Sequence, residues 1–412
     1  MDIPERLLNL HGRIDSICEG VKAWLDNEDG ICQNSVERTV TEGLFQRHDV
    51  EHMLAQAATT ITKNALETWA DRVLEPGADR VLEPGVNRVF EPGVNRVLED
   101  EKKRESHFKQ QKILCLHAGN LPMVGLQDVI ATLLSGGVYY GKLSSRDPWL
   151  LDGLLRVLRK RLPEQFGGWA ARLEYIDPLM AQIVLFAGSL ASVDTIKHRI
   201  QELNLAAPDA RFLPRTARFS VAWLGAEGAA TDNGHSSLIC NQLVEAMLRY
   251  EGKGCRSVAV IIASRPLSEY AGKLMDEAAN FVGSNPPSMN DDPAVRYWKS
   301  YLKAAGKGVL DLGGQIITED TEMMGKQGLI CWVKGDREDV RRIAGRFGHQ
   351  LQSIYVDADP AEAGPGGLHH PAKFGLPDTE GIRLESLCNA QAPPIHWQPD
   401  GIDVLDWLMG DS

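Results

Sequence analysis

The chain has 412 residues, of which 43% are hydrophobic and 24% are charged, and this composition is typical of a globular protein with a large buried core. Lys and Arg total 44 against 56 Asp and Glu, which gives a formal net charge of −12. An acidic chain has no general attraction for phosphate backbones, so we expect no nucleic-acid partner. No segment approaches the roughly 18 consecutive apolar residues of a transmembrane helix, so we expect no membrane span.

The seven cysteines are scattered along the chain and form no C-x-x-C pair. An odd, unpatterned set of cysteines in a long acidic chain favours a reducing compartment, and the N-terminus shows no apolar signal core. These features predict a cytoplasmic protein.

An eight-residue repeat follows residues 1–69, which we predict to be helical. Three copies end in Glu-Pro-Gly, at 70–77, 78–85 and 86–93, and a truncated copy ends at Glu99. The prolines forbid one continuous helix, and a solenoid needs units of about 20 or more residues. We interpret 70–99 as a tandem expansion in an exposed segment, with a partner-docking arm as the alternative.

Short apolar strands alternate with helices from Lys112 onward. In residues 100–224 the expected strands are 113–116, 137–142, 182–186 and 219–224, and the expected helices are 121–134, 149–162 and 191–203. This alternation predicts a doubly wound parallel sheet. A second α/β block, residues 225–380, has expected strands at 257–263, 329–333 and 353–356 and helices at 237–250, 267–281 and 337–347. Residues 381–412 form an irregular tail that closes with an apolar turn.

A turn after one of these strands is a candidate phosphate site. Gly188 and Ser189 follow the strand ending at Phe186 and precede a helix. Free backbone N–H groups at a helix N-terminus suit a pyrophosphate. The chain has no complete G-x-G-x-x-G motif, so a plain strand-to-helix turn is the alternative.

A second candidate segment follows the strand that ends at Lys142. Ser144, Ser145 and Arg146 come directly after it, and together the four side chains suit an adenosine ribose and its 2′-phosphate. The alternative is a capped helix start, because Asp147 or Ser145 could cap a helix that begins with Pro148. The two interpretations are compatible.

Cys255 is the candidate nucleophile. It lies between a long helix and an apolar strand, flanked by Gly252, Lys253, Gly254 and Arg256. Nearby cations would stabilise the thiolate, and glycines would let a substrate approach. A buried structural cysteine is the alternative.

A five-residue string, His48-Asp-Val-Glu-His52, matches the H-x-x-E-H pattern of some zinc peptidases. Such families use a further downstream Glu as a zinc ligand, but no Glu lies between Glu105 and Glu164. We therefore expect no metal site.

Taken together, these segments resemble the LuxC-like acyl-CoA reductases, a branch of the aldehyde dehydrogenase superfamily. The resemblance runs from residue 112 to 408 and does not cover the repeat. The Cys255 segment takes part in it, and the other matching strings are His117–Pro122, Gly141–Pro148, Phe186–Ser189, Arg215–Ser220 and Gln391–Gly401.

The resemblance implies an aldehyde-dehydrogenase-like α/β fold. Its two doubly wound domains would be a cofactor-binding Rossmann-like domain (100–224) and a catalytic domain (225–380), with the active site in the cleft between them. It places the family's nucleophile on Cys255, its oxyanion-hole asparagine on Asn120 and its ribose-binding lysine on Lys142.

The resemblance also implies an activity, the reduction of a fatty acyl thioester to an aldehyde through an acyl-Cys255 intermediate. Aldehyde-oxidising relatives use a glutamate base in a segment equivalent to residues 213–219, which contain no carboxylate. This difference favours reduction over aldehyde oxidation, which is one alternative. The other is a non-catalytic scaffold on the same fold.

The expected cofactor and partners follow from the same resemblance. NAD-preferring relatives place an acid where Ser145 stands, and Arg146 follows it, so we expect NADPH, bound through Lys142, Ser144, Ser145, Arg146, Gly188 and Ser189. The substrate would be an acyl-CoA or another acyl thioester, and an acyl-protein synthetase would be a partner. We also expect a homo-oligomer.

The repeat is predicted to be dispensable for folding and chemistry. Excision of residues 76–99 should leave the thermal midpoint and the enzymatic activity nearly unchanged, because exposed insertions contribute little to stability. Thermal denaturation and activity of the deletion variant check this. An insoluble or inactive variant would show that the repeat packs on the body of the protein or builds an interface.

Overall fold

The computed structural model describes residues 3–74, 111–225, 233–287, 292–364, 368–374, 376 and 383–410. The helical N-terminal segment is confirmed, with helices α1 (Ile3–Leu25), α2 (Ile31–Thr41), α3 (Arg47–Thr60) and α4 (Lys63–Leu74). The first repeat begins inside α4, where Ala70 and Val73 are buried. The rest of the repeat lies outside the described residues.

Five parallel strands form the first sheet, in the order β3–β2–β1–β4–β5. They are β1 (Lys112–Leu116), β2 (Val138–Lys142), β3 (Phe166–Ala170), β4 (Ala181–Ala187) and β5 (Ala206–Arg215). The central strand β1 is buried from Ile113 to Leu116, as expected for a parallel sheet covered on both faces. Strand order reverses direction at β1, so a crevice opens between the carboxyl ends of β1 and β4.

The helices of the first sheet are α5 (Leu126–Ser135), α6 (Leu150–Arg161) and α7 (Val193–Glu202). Helix α5 starts at Leu126, whereas the apolar pattern predicted a start at 121. The intervening residues form a turn in which Met123 and Gly125 have positive φ angles, 54° and 109°. A Cβ atom at Gly125 would lie 1.9 Å from Nδ1 of His117, so only glycine fits this turn.

Eight strands form the second sheet, in the order β12–β13–β11–β6–β7–β10–β9–β8. They are β6 (Phe219–Leu224), β7 (Val258–Ala263), β8 (Leu310–Asp311), β9 (Ile316–Thr318), β10 (Leu329–Lys334), β11 (Leu351–Val356), β12 (Leu368–His369) and β13 (Leu384–Ser386). The pairs β12–β13 and β8–β9 at the two edges are antiparallel, and the others are parallel.

The placement of Phe219–Leu224 with the first sheet is wrong. All six residues of this strand are buried, and it pairs with β7 and β11 in the second sheet. An apolar run shows that a strand is buried but not which sheet buries it. The chain passes between the two sheets at residues 216–218, and the domain limits given above remain predictions.

The remaining helices are α8 (Asn233–Leu248), α9 (Leu267–Ser284), α10 (Pro293–Ala304), α11 (Arg337–Phe347) and α12 (Val404–Met409). Helix α10 escaped the sequence prediction, although Asp292 caps it and Pro293 occupies its first turn. None of the helices in the described part of the chain is long and apolar enough to cross a bilayer.

The C-terminal helix α12 returns to the first sheet and the N-terminal helices. Val404, Leu405 and Leu408 are buried in the core of the first sheet. Asp403 caps the helix and accepts hydrogen bonds from Trp69 Nε1 at 2.8 Å and from Arg72 at 2.9 Å. This carboxylate therefore joins the tail to α4.

Replacement of Asp403 is predicted to destabilise the protein. Asp403→Ala removes a helix cap and leaves the Trp69 indole without its acceptor, so the free energy of unfolding should fall by about 2 kcal/mol. Denaturant titration measures the change. Asp403→Asn retains an acceptor for the cap and the indole and should lose less, whereas unchanged stability of Asp403→Ala would contradict the assignment.

Candidate active site

The loop between α8 and β7, residues 249–257, carries Cys255 and is called the nucleophile loop below. Tyr250, Glu251 and Gly252 follow one another in the left-handed region, with φ angles of 54°, 56° and 69°. Two consecutive non-glycine residues in this region cost on the order of 1–3 kcal/mol each and persist only where surrounding contacts enforce them. The backbone before Cys255 is therefore strained.

Hydrogen bonds from several directions hold this loop. Gln315 Nε2 donates to the carbonyl of Glu251 at 2.8 Å, and Ser220 Oγ donates to the carbonyl of Cys255 at 3.0 Å. Within the loop, the Gly254 N–H donates to Ser257 Oγ at 3.2 Å. These contacts fix the backbone on both sides of the cysteine.

Asn120 lies beside the nucleophile loop. Its Nδ2 donates a hydrogen bond of 2.8 Å to the carbonyl of Lys253, two residues before Cys255. The two segments are far apart in sequence, since Asn120 follows β1 of the first sheet and Cys255 precedes β7 of the second. The structure thus brings the predicted oxyanion donor and the predicted nucleophile together where segments of the two sheets meet.

The predicted stabilisation of a Cys255 thiolate by Lys253 and Arg256 is outweighed by burial. The ammonium of Lys253 pairs with Glu251, and the buried Arg256 guanidinium donates to Glu385 at 2.7 Å. Burial raises the pKa of Cys255 to about 11, although part of the residue remains exposed, and the charge of Arg256 lowers it less than burial raises it. The resting thiol is protonated because burial, together with the Asp400 charge, outweighs the charges of Arg256 and Arg215.

Asp400 is a site residue that the sequence analysis missed. Its carboxylate accepts hydrogen bonds from the backbone N–H groups of Thr216 at 2.6 Å and Ala217 at 3.1 Å, and its charge further raises the pKa of Cys255. The segment 213–219 lacks a carboxylate of its own but binds one from the tail. A usable signal was the Pro-Asp-Gly string that ends the resembling segment at Gly401.

A cavity of about 230 Å³ lies at the carboxyl ends of β1, β2 and β4, beside the reversal of strand order. Ligands of doubly wound sheets bind at this position. Its lining includes His117, Lys142, Phe186, Gly188, Ser192 and Ile196. Lys142 and Gly188 therefore lie where the sequence placed them, and burial lowers the pKa of Lys142.

The other predicted cofactor residues lie outside that lining. Ser144 is buried, and its Oγ accepts a hydrogen bond from the Arg146 N–H at 3.2 Å, whereas Ser145 and Arg146 are exposed. Ser189 is exposed and hydrogen-bonds through its hydroxyl to the hydroxyl of Ser192, which lines the cavity. The alternative, a helix capped by Asp147 or Ser145 and begun by Pro148, is wrong, because α6 begins at Leu150 after Trp149. Asp147 nevertheless accepts a hydrogen bond from the Leu150 N–H at 3.3 Å.

A network of buried polar side chains lies next to this cavity. Arg215 donates to Asp128 at 2.6 Å, and Nδ1 of His117 lies 3.9 Å from the same carboxylate. Nε2 of His117 lies 2.9 Å from the hydroxyl of Tyr139. Burial lowers the pKa of His117 to about 4, so the imidazole that lines the cavity is neutral at physiological pH.

A larger cavity of about 730 Å³ lies beside α6 and the end of β3, and it is lined by Trp149, Trp169, Arg156, Arg159 and Lys160 among others. Two of its cations are already neutralised. Arg156 pairs with Asp152 at 2.8 Å, and Lys160 pairs with Asp29 at 2.9 Å. The chemistry of Cys255 and Asn120 is not part of this cavity, so volume alone does not mark the active site.

The H-x-x-E-H string lies on α3. Nε2 of His48 is 3.6 Å from a carboxylate oxygen of Asp49, and Nε2 of His52 is 3.3 Å from the carbonyl of Gln391. Over the described ranges, no three side chains of His, Cys, Asp or Glu are grouped so that they could hold a metal ion.

Comparison with known proteins gives structural matches alone. No family model matches the chain, and no curated protein matches it in sequence. Aldehyde dehydrogenase 21 from Physcomitrella patens superposes with a TM-score of 0.61 at 12% identity, covering 97% of this chain and 84% of that one.

Two further dehydrogenases show the same similarity. A NAD-dependent benzaldehyde dehydrogenase from Corynebacterium glutamicum gives a TM-score of 0.58 at 15% identity, over 97% of this chain and 83% of that one. The aldehyde dehydrogenase KauB from Pseudomonas aeruginosa gives 0.56 at 13% identity, over 84% and 72%. Together with the two sheets and the helical N-terminal segment, these matches show that the chain has the aldehyde dehydrogenase fold.

Proposed function

We propose that this protein is a LuxC-like acyl-thioester reductase, which converts a fatty acyl thioester to the aldehyde with NADPH through an acyl-enzyme on Cys255. The observation that carries the proposal is the hydrogen bond from the Asn120 amide to the nucleophile loop, 2.8 Å from the Lys253 carbonyl. On an aldehyde dehydrogenase fold, an amide donor beside a strained cysteine loop is suited to stabilising a thioester oxyanion.

The chemistry of the first half-reaction can be followed on this chain's own atoms. The Cys255 thiol loses its proton, its Sγ forms a bond to the acyl carbon, and the carrier leaves as a thiol by taking up one proton. The Asn120 amide has two N–H groups, of which one binds Lys253, so the other and the Cys255 N–H are the proposed oxyanion donors. Breakage of the thioester bond leaves the acyl group on Cys255.

NADPH would supply the hydride that reduces this acyl-enzyme to the aldehyde and frees Cys255. The cavity beside Lys142 suits part of a nicotinamide dinucleotide, because a cationic side chain and the start of α7 lie at the carboxyl edge of a doubly wound sheet. Ser144, Ser145, Arg146 and Ser189 belong to the loops at its edge. An acyl-CoA substrate, an acyl-protein synthetase partner and a homo-oligomeric state remain parts of the proposal.

Aldehyde oxidation is the second candidate, and one observation favours it. Asp400 provides a carboxylate beside Cys255 although the segment 213–219 has none. A carboxylate at that position could activate water to hydrolyse an acyl-enzyme. Thioester reduction remains the favoured reaction, because the Asp400 carboxylate already accepts hydrogen bonds from the backbone N–H groups of Thr216 and Ala217.

The decisive experiment offers the purified protein a fatty acyl-CoA with NADPH, and separately an aldehyde with NADP⁺, and follows nicotinamide absorbance. Cys255→Ala should abolish aldehyde formation, and Asn120→Ala should slow it by roughly 10²-fold, the usual loss for one oxyanion donor. Cys388→Ala, at an exposed cysteine, is the matched control and should retain full activity.

Mass spectrometry tests the assignment of Cys255 without requiring turnover. Wild type given acyl-CoA without NADPH should carry one acyl group, on Cys255. Acylation of a different residue, or an unchanged rate in Cys255→Ala, would overturn the assignment and favour a non-catalytic scaffold.

Cofactor preference is predicted to depend on Arg146. NADPH should give a higher kcat/KM than NADH, and Arg146→Ala should reduce this ratio because the guanidinium is the proposed partner of the 2′-phosphate. Steady-state kinetics with both cofactors measure it. Arg156→Ala removes an exposed arginine elsewhere on the first domain and serves as the control. Equal kcat/KM values for the two cofactors in wild type would contradict the prediction.

Alkylation of Cys255 should depend steeply on pH. The thiolate is the reactive form, and burial holds the pKa near 11, so the iodoacetamide rate of the free enzyme should rise about tenfold per pH unit up to that range. Asp400→Asn removes a negative charge that disfavours the thiolate, so it should lower the apparent pKa and speed alkylation at pH 8. An apparent pKa below 8 in wild type would show that the resting cysteine is a thiolate.

A further inference from the structure

The N-terminal helix α3 contacts the strained part of the nucleophile loop. Asp49 is 5% exposed, and its Oδ1 accepts a hydrogen bond of 3.3 Å from the Tyr250 N–H, the first left-handed residue of the loop. The Arg249 guanidinium lies 4.0 Å from the same carboxylate oxygen. Asp49 lies 201 residues before Tyr250, so this contact is long-range.

Helix α3 makes a second contact with the start of the nucleophile loop. The His52 ring meets the Tyr250 ring edge-on, with centroids 5.9 Å apart, and its Nε2 lies 3.3 Å from the Gln391 carbonyl. The side chain of Gln391 donates in turn to the Ala246 carbonyl of α8 at 3.1 Å. One turn of α3 thus contacts the start of the loop and the C-terminal tail, and the tail in turn contacts the helix before the loop.

We propose that Asp49 is a positioning residue, which holds the left-handed backbone at Tyr250 and Glu251 so that the Cys255 N–H and sulfur face the Asn120 amide. The H-x-x-E-H string would accordingly serve the active site through its Asp49 and His52 contacts rather than through a metal ion. The expected effect on turnover rests on the function proposed above. The expected effect on the conformation of the nucleophile loop does not depend on that function.

Two geometric facts support this role over simple burial of a carboxylate. The donor to Asp49 is a backbone N–H at a strained residue, and such residues keep their conformation only where contacts enforce it. From Glu251 onward other groups hold the loop, since Gln315 binds the Glu251 carbonyl and Asn120 binds the Lys253 carbonyl. At Tyr250 the described hydrogen bond to a side chain is the one from its N–H to Asp49.

The charged and titratable groups around Asp49 set its behaviour with pH. His48, His52, Arg249, Glu245 and Glu251 all interact with this cluster. Burial raises the pKa of Asp49 to about 6, while the Tyr250 hydrogen bond and the Arg249 charge oppose the rise. Above that pH the carboxylate is ionised and is the stronger acceptor. Below it, protonation weakens the contact with the Tyr250 N–H.

The test compares Asp49→Ala with Asp49→Asn. The alanine variant has no acceptor for the Tyr250 N–H, and we expect kcat to fall by about 10- to 100-fold with an unchanged KM for NADPH, since small displacements of reacting groups have effects of this size. The asparagine variant keeps a neutral acceptor, so it should regain most of kcat and lose the fall in activity below about pH 6. Asp403→Ala is the matched control, because it also cuts a contact between N-terminal helix and tail but lies away from the loop.

A readout without substrate separates this proposal from the proposed function. Displacement of the loop should expose Cys255 and bring its apparent pKa, measured by iodoacetamide alkylation and mass spectrometry, down toward the ordinary cysteine value in Asp49→Ala. Wild type, Asp49→Asn and Asp403→Ala should keep the high value. An equal apparent pKa of Cys255 in Asp49→Ala and in wild type would overturn the proposal. If thioester reduction fails while the alkylation pattern holds, the positioning role stands and the proposed activity falls.

Discussion

The left-handed backbone at Tyr250, Glu251 and Gly252 is the constraint on which the rest of this site depends. It reverses the chain between α8 and β7 so that Cys255 emerges beside Asn120. A loop with two strained non-glycine residues is unfavourable by itself. Segments from the N-terminal helices, both sheets and the C-terminal tail each contribute a contact to it, so the candidate site is assembled from the whole fold.

Pairing of charges governs the electrostatics of this site. Arg256 is held by Glu385, Arg215 by Asp128, and Arg249 by Glu245 at 2.6 Å. Buried cations of this kind need a carboxylate, since an unpaired charge in the interior is costly. Paired in this way, Arg256 and Arg215 lower the pKa of Cys255 by less than burial raises it. The resting cysteine is therefore protonated at neutral pH.

The sequence predicts the fold where burial is continuous. Strands β1, β4, β6 and β7 read as apolar runs and lie close to where the pattern places them, because strands buried on both faces carry few polar residues. Strands β3 and β5 were missed. The first contains Gly167 and Gly168 and the second Pro208 and Pro214, and both are edge strands, where weak strand formers are tolerated.

The candidate site, too, could be predicted from the sequence only in part. Cys255, Asn120 and Lys142 stand in strings that are recognisable along the chain, and the structure brings Cys255 and Asn120 together and places Lys142 in the cavity. The charges around Cys255 could not be predicted, because their partners come from distant segments. Glu385 pairs with Arg256, and Asp400 raises the pKa of Cys255 from the tail. Local sequence therefore predicts candidate reacting groups, whereas the protonation of the thiol depends on burial and on charges from distant segments.

The position of Asp400 changes how the sequence of residues 213–219 is interpreted. Residues 213–219 contain no acid, which along the sequence argues against hydrolysis of an acyl-enzyme. In the fold, the backbone N–H groups of Thr216 and Ala217 bind the Asp400 carboxylate. Both hydrogen bonds hold the carboxylate on the backbone where the chain passes between the two sheets. A general base has to reach a water molecule next to the acyl carbon. A carboxylate that already binds two backbone amides is held away from that task, and this restraint supports the proposed reduction over hydrolysis.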